Sequence, residues 1–311
     1  MAEDQQTANT VLALSNQMAD AVATAAQSIV TVAARPRQSA SGIIWSADQE
    51  TVIVTADHVI EQEDEISVRM PDGQEWKVAL VGRDAGTDIA VLRLPADSAE
   101  GAYRAASLSD SARVGTPVLA VGRPGAGGPR VSFGVISAIE GPRRSWQGSD
   151  FESIIFPDLT LYPGFSGGPL ITLGGQVVGM CSSHLTRQNS TALPVVTLRR
   201  VVSQLITHGK VRRGYLGVGT QQVQLAEALA QKAGVTQSHA LLVVTVEPGS
   251  PADQAGLLIG DTLVTLGDVT VADADALRSQ LGAVAPGNAI TLRCLRGGEP
   301  RDVSVTVGER E

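Results

Sequence analysis

From Ile29 to about residue 140 the apolar residues fall in short runs that alternate with polar ones: Ile29–Val32, Gly42–Trp45, Thr51–Thr55, Ile66–Met70, Trp76–Arg83, Ala90–Leu94, Pro117–Gly122 and Val131–Ile139. A period of two turns one face of each run inward and the other outward, which is the pattern of β-strands rather than helices. Turn residues separate the runs, and Pro71-Asp72-Gly73 is a hairpin signal. Many short strands in succession close as an all-β barrel or sandwich. The chain carries 33 glycines but only 3% aromatic residues, so its cores are expected to be aliphatic. The predicted fold class is mostly β.

A chain of 311 residues is long for one core and fits two domains. Val11, Leu14, Met18, Val22, Ala25 and Ile29 recur at helical steps, which predicts a packing helix over about 8–28. Gln176–Met180 reads as a further strand and Pro194–Ile206 as a helix with Gly209 as its C-cap. The boundaries set an N-terminal helix and lead-in segment at 1–34, a first domain at 35–209 and a second at 210–311. In the second domain the order is strand at Tyr215–Val218, helix at Leu225–Ala233, strand at Ala240–Val246 and a short helix ending near Gly256. Strands at Thr262–Leu266 and Val269–Val271, a helix at Asp273–Leu281 and a hairpin of Ala289–Arg296 with Arg301–Val307 complete it.

The net charge of −8, with no basic stripe, argues against nucleic acid or an anionic membrane as partner. Arg143 and Arg144, like Arg212 and Arg213, read as solvated pairs. Cys181 and Cys294 fall in different domains, so both are expected as buried free thiols. No apolar run is long enough for a transmembrane helix. The opening Met1-Ala2-Glu3-Asp4-Gln5-Gln6 is acidic where a secretory signal is basic. The chain as written therefore reads as cytoplasmic, or as periplasmic if a leader has been removed.

Gly164-Phe165-Ser166-Gly167-Gly168-Pro169-Leu170 puts a serine in a glycine-flanked turn. A hydroxyl there becomes a nucleophile if a base takes its proton and nearby amides receive the charge developing on a carbonyl oxygen. There are four histidines. His58 ends the apolar run Val52–Val54, whereas His184, His208 and His239 read as loop, helix end and turn. Asp88, just before the apolar Ile89–Leu92, is the candidate to orient His58, since a buried carboxylate needs a hydrogen-bonding partner. Asp84 competes but reads as turn-forming, and Asp57 points to the opposite strand face. The order His58, Asp88, Ser166 is one of the known orders of a Ser-His-Asp triad.

On these three segments, residues 10–308 resemble the HtrA (Deg) family of trypsin-like serine proteases with a C-terminal PDZ domain. The resemblance implies a chymotrypsin-like fold of two six-stranded β-barrels followed by a smaller α+β PDZ domain. It makes His58 the general acid/base, Asp88 its orienting group, Ser166 the nucleophile, and the amides of Gly164 and Ser166 the oxyanion hole. Asp158 matches the acidic residue of the loop before the nucleophile, and Ser41-Gly42-Ile43-Ile44 the family's Gly-Ser-Gly-Phe-type strand. Phe165 stands where the family usually has Asn, Pro163 precedes Gly164, and Ala56 takes the place of another Asn.

Thr160 occupies the position at which a trypsin-type enzyme carries an acidic residue. With Leu161 and the strand holding Met180, Cys181 and Ser182 as walls, the pocket is expected to be small or apolar, favouring cleavage after Val, Ala, Ile, Leu or Thr. In the second domain Tyr215-Leu216-Gly217-Val218 is similar to the carboxylate-binding loop of PDZ domains. Leu277 and Leu281 are candidates for the facing wall or for ordinary core. The expected activity is ATP-independent endoproteolysis of unfolded or damaged protein, since no Walker motif is present, with no metal or cofactor. A binding protein with a latent protease fold is the alternative. The family's homo-trimers assemble through an aromatic N-terminal segment, whereas residues 1–44 contain no Phe, Tyr or Trp.

Overall fold

The computed structural model describes residues 2–47, 50–96, 98, 103–141, 143–144, 150–186 and 190–309, and the chain divides into two compact units, Met1–Val211 and Arg212–Glu311. The surface reading of the Arg143 and Arg144 side chains lies outside the described residues.

In the first unit, helix α1 (Ala2–Ala25) leads through a single 3₁₀ turn into β1 (Ile29–Ala33), β2 (Ala40–Ala47), β3 (Glu50–Thr55), β4 (Ser67–Arg69), β5 (Glu75–Lys77), β6 (Ala79–Asp84) and β7 (Ile89–Arg93). These strands form one sheet in the order β5-β4-β1-β2-β3-β7-β6. Its two ends, β5 and β6, are consecutive stretches of a single segment interrupted at Val78. Residues 75–77 pair with β4 and residues 79–84 with β7, so the segment joins both ends and the sheet curls into a barrel. The single run expected at Trp76–Arg83 is thus one bent segment serving two neighbours. The hairpin before it is closed by Met70 N–H donating to Gln74 O at 2.8 Å and Gln74 N–H to the Asp72 carboxylate at 2.9 Å.

The second half of the unit contains β8 (Pro117–Gly122), β9 (Arg130–Glu140), the two-residue strands β10 (Arg143–Arg144) and β11 (Asp150–Phe151), β12 (Ile154–Asp158), β13 (Pro169–Thr172), β14 (Val177–Ser182) and β15 (Thr191–Pro194). Six of these close a barrel in the order β12-β15-β14-β13-β8-β9. Helix α2 (Val195–His208) ends at Gly209, which is left-handed at φ 72° and donates its N–H to Leu205 O. Its buried face, Leu198, Val201, Val202 and Leu205, packs against the first barrel's strands.

Helix α1 packs only in part along the stripe the sequence suggests. Ala21 and Ala25 are buried, but Val11 is 64% and Leu14 47% exposed, because the helix meets the barrel at β8 and β13 only through its last turns. No helix among the described residues is long and apolar enough to cross a membrane.

The second unit contains β16 (Gly214–Tyr215), β17 (Val218–Gln224), α3 (Glu227–Ala233), β18 (His239–Val246), α4 (Pro251–Gln254), β19 (Thr262–Leu266), β20 (Val269–Thr270), α5 (Ala274–Ala283), β21 (Ala289–Arg296), β22 (Glu299–Thr306) and β23 (Gly308–Glu309). The strand expected over Tyr215–Val218 is broken at Leu216-Gly217. Residues 214–215 pair with 308–309, and Val218 opens β17, an edge strand of the main sheet. Helix α5, capped by the Asp273 carboxylate accepting from Ala276 N at 2.8 Å, packs against β16 and β17. Leu277 and Leu281 both enter the core beside Leu216, Leu241 and Val305, the ordinary packing role weighed against a groove wall.

Candidate active site

Ser166 sits in the turn between β12 and β13 and is 8% exposed. Backbone bonds pin that turn from several directions. Ser41 N–H donates to Ser166 O at 3.1 Å, Gly167 N–H to Cys181 O at 2.9 Å, and Cys181 N–H to Gly168 O at 2.8 Å. The Ser41 hydroxyl donates to Gly164 O at 2.7 Å and accepts from Arg123 N at 2.8 Å. Gly167, at φ 82°, lies so close to β2 that a Cβ there would fall 2.1 Å from Ser41 O, and only glycine fits. The amides of Phe165 and Gly168 are also bonded, to Tyr162 O and Phe165 O. The Gly164 and Ser166 amides, by contrast, donate to no protein group among the described residues.

His58 lies on a one-turn 3₁₀ helix, Asp57–Val59, that follows β3. Its Nδ1 is 2.9 Å from each oxygen of the Asp88 carboxylate, and its backbone N–H donates to Asp88 Oδ1 at 2.9 Å. With Nδ1 as donor, the neutral ring leaves Nε2 free to accept a proton. Asp88 is 4% exposed and has φ 56°, the one positive φ at a non-glycine position among the described residues. Such strain persists only where the surroundings impose it, here immediately before the buried β7. The Ser182 hydroxyl donates to Asp88 Oδ2 as well, so the buried charge has three donors.

The other two acidic candidates are engaged elsewhere. Asp57 accepts from Arg83 Nε at 2.5 Å, and that guanidinium also reaches Asp57 O at 3.3 Å and Glu63 at 2.9 Å. The Asp57 hydrogen bond holds Arg83 above its ordinary pKa. Asp84 accepts from Thr87 N at 2.9 Å and Thr87 Oγ1 at 2.6 Å, which closes the turn leading to Asp88.

Two contacts have no signal in the sequence. The Ser166 hydroxyl is bonded to Ser183 Oγ at 3.1 Å, and among the described residues it is not hydrogen-bonded to the imidazole. His184, read from sequence as a loop residue, stacks on His58 with ring centroids 4.5 Å apart and planes 16° from parallel. The dipeptide Ser183-His184 therefore touches both Ser166 and His58.

The residues expected around the pocket separate along β14. Cys181 points into the second barrel's core, against which Leu161 packs, and burial pushes its thiol up to about 12. Met180 points into the other core cluster, and the Ser182 hydroxyl is held by Asp88. Strand alternation makes this split unavoidable: Met180 packs in a core cluster and the Ser182 hydroxyl partners the Asp88 carboxylate. Thr160 is exposed, as is Asp158. In the second unit the carbonyls of Leu216 and Gly217 accept from Ala252 N at 2.9 Å and Glu247 N at 2.8 Å, while the amides of Leu216 and Gly217 donate to no protein group among the described residues. Tyr215 OH is hydrogen-bonded to Glu247.

Barrel pair, Ser166 turn and C-terminal sheet together define the class: a trypsin-like peptidase fold carrying a PDZ domain. Residues 40–180 match the family model described as "Trypsin-like peptidase domain" and residues 214–307 that described as "PDZ domain". The solved structure of the HtrA-type protease AlgW with a tripeptide is 31% identical, covers 94% of this chain and 97% of its own, and superposes with a TM-score of 0.76. A serine endoprotease from Yersinia pestis is 29% identical, with 95% and 98% coverage and a TM-score of 0.73. The chain belongs to the HtrA family. Among curated relatives, the "Probable periplasmic serine endoprotease DegP-like" of Halomonas elongata is 39% identical over 280 residues, spanning 88% of this chain and 57% of that protein. The chain thus spans little more than half the length of the curated relatives it matches.

Proposed function

We propose that this protein is a serine endopeptidase that hydrolyses peptide bonds of unfolded or damaged proteins without ATP, with His58, Asp88 and Ser166 as its triad. The observation that carries the reading is the His58 ring held by Nδ1 on a buried, fully bonded Asp88, beside a serine turn in which the Gly164 and Ser166 amides donate to no protein group among the described residues. In the reaction, Ser166 Oγ leaves Ser183, gives its proton to His58 Nε2 and bonds to the substrate carbonyl carbon. The carbonyl oxygen becomes an oxyanion that accepts from the Gly164 and Ser166 amides, while Asp88 stabilises the imidazolium. Collapse breaks the C–N bond, and His58 returns the proton to the departing amine. Water, deprotonated by His58, then attacks the acyl-serine and restores the hydroxyl.

Leu161 and Cys181 on the same apolar cluster, with no acid at Thr160, support cleavage after Val, Ala, Ile, Leu or Thr. In the second unit, the free amides of Leu216 and Gly217 suit a C-terminal carboxylate, and an extended peptide would add beside the edge strand β17. The peptide-bound AlgW structures support peptide as the partner. Of the two compartments, the periplasm is favoured by the names of the curated relatives. A homo-trimer rests on the family resemblance alone, and light scattering tests it.

The test is casein degradation and labelling by a fluorophosphonate. Ser166→Ala should abolish both while leaving peptide binding intact, and retained cleavage would remove the assigned nucleophile. The Ser166 bond to Ser183 favours a second reading, a latent binder. An unlabelled Ser166, even with a C-terminal peptide present, would select it.

A further inference from the structure

Three consecutive residues at the end of β14 each meet a different member of the proposed triad. Ser182 donates to Asp88, Ser183 is bonded to Ser166, and His184 stacks on His58. The segment is held firmly enough to make these contacts matter. Ser182 pairs with Thr191 in the barrel, its carbonyl accepts from Thr191 Oγ1 at 2.7 Å, and its hydroxyl accepts from His184 N at 3.1 Å. The hydroxyl that binds Asp88 therefore also fixes where His184 starts. Leu185 is buried directly after it, so the exposed imidazole hangs between two anchored residues.

We propose that Ser183 and His184 are positioning residues of the triad: Ser183 holds the nucleophile away from the imidazole at rest, and His184 fixes the plane of that imidazole by stacking. The proposal rests on the triad reading above. With Ser166 as the donor, its hydroxyl must give up the bond to Ser183 before it can donate to His58 Nε2, so in that orientation the bond opposes the first step of attack. His58 rotates about two side-chain bonds, and the Asp88 carboxylate alone constrains only its Nδ1 edge. A second ring lying nearly parallel against its face, at 4.5 Å between centroids, restrains the remaining rotation. Orientation of this kind is felt in the rate of the chemical step more than in substrate binding.

The experiment uses the full chain, a fluorophosphonate probe and a chromogenic peptide. Ser183→Ala should label about fivefold faster than the parent, the factor matching one neutral hydrogen bond of ordinary net strength, and Ser183→Gly should do the same. His184→Ala should lower kcat about tenfold with KM nearly unchanged, on the scale of a misoriented base, and His184→Phe, which keeps a flat ring, should recover most of the loss. A merely structural role predicts neither a gain in Ser183→Ala nor rescue by Phe. Labelling of the Ser183 variants no faster than the parent, or a His184→Phe enzyme as slow as His184→Ala, overturns the proposal. Parallel Ser166→Ala and His58→Ala controls test the triad itself: activity surviving in those would overturn the underlying reading instead.

Discussion

The ring of Phe165 occupies the space that a side chain on Gly122 would need. A Cβ at Gly122 would lie 2.7 Å from Phe165 Cδ1, and the phenyl group is 1% exposed among Val118, Ala120, Leu170 and Cys181. The residue before Ser166 is thus an apolar anchor, sunk into the second barrel where the family usually has a polar side chain. It ties the orientation of the neighbouring amides to barrel packing. Phe165→Ala should cost about 3–5 kcal/mol and lower kcat. Gly122→Ala should cost about 1–3 kcal/mol by overpacking. Urea midpoints and steady-state rates measure both.

Arg83 secures the turn that carries His58. Its guanidinium binds both the carboxylate and the carbonyl of Asp57, whose side chain is 8% exposed against 32% for Arg83. Arg83→Met leaves a nearly buried carboxylate without its cation and should destabilise the first unit by about 2 kcal/mol, a figure moderated by the partial exposure of the pair. The rate should fall with it, because the 3₁₀ turn loses its tether. A denaturation curve together with kcat checks this.

Both cysteines are shielded thiols. Burial raises Cys181 to about 12 and, acting first among several causes, Cys294 to about 11. Neither forms the reactive thiolate near neutral pH. The native protein should therefore take up almost no iodoacetamide at pH 8, and two equivalents after unfolding. Mass spectrometry of the alkylated chain gives the count.

Asp261 gives the PDZ unit an acid-sensitive tie. Burial works to raise its carboxyl, but two hydrogen bonds from Arg296 at 2.7 Å and one from Leu258 N at 2.9 Å outweigh it and hold the group below its ordinary 3.8. A depressed carboxyl stabilises the fold at pH above the unfolded value, and the contribution fades as pH falls through the folded one. Stability of the unit should thus drop below about pH 4. Asp261→Asn should be less stable at neutral pH and flatter in that acid range. Thermal melts from pH 7 down to 2 test both.

The sequence by itself determined the strand succession, the Pro-Asp-Gly hairpin, the capped helices, the division near residue 210 and the segments that carry His58, Asp88 and Ser166. Periodicity, turn chemistry and caps act over a few residues, so they are readable locally. Tertiary structure alone decided which side chains meet. It turned the Ser182 hydroxyl to a carboxylate 94 residues away, placed Ser183 on Ser166 and laid His184 on His58. It also left Val11 and Leu14 of the α1 stripe in solvent and sent Met180 and Cys181 into different cores. These outcomes depend on how two barrels close and on strand register across long loops, and no local pattern of residues encodes that.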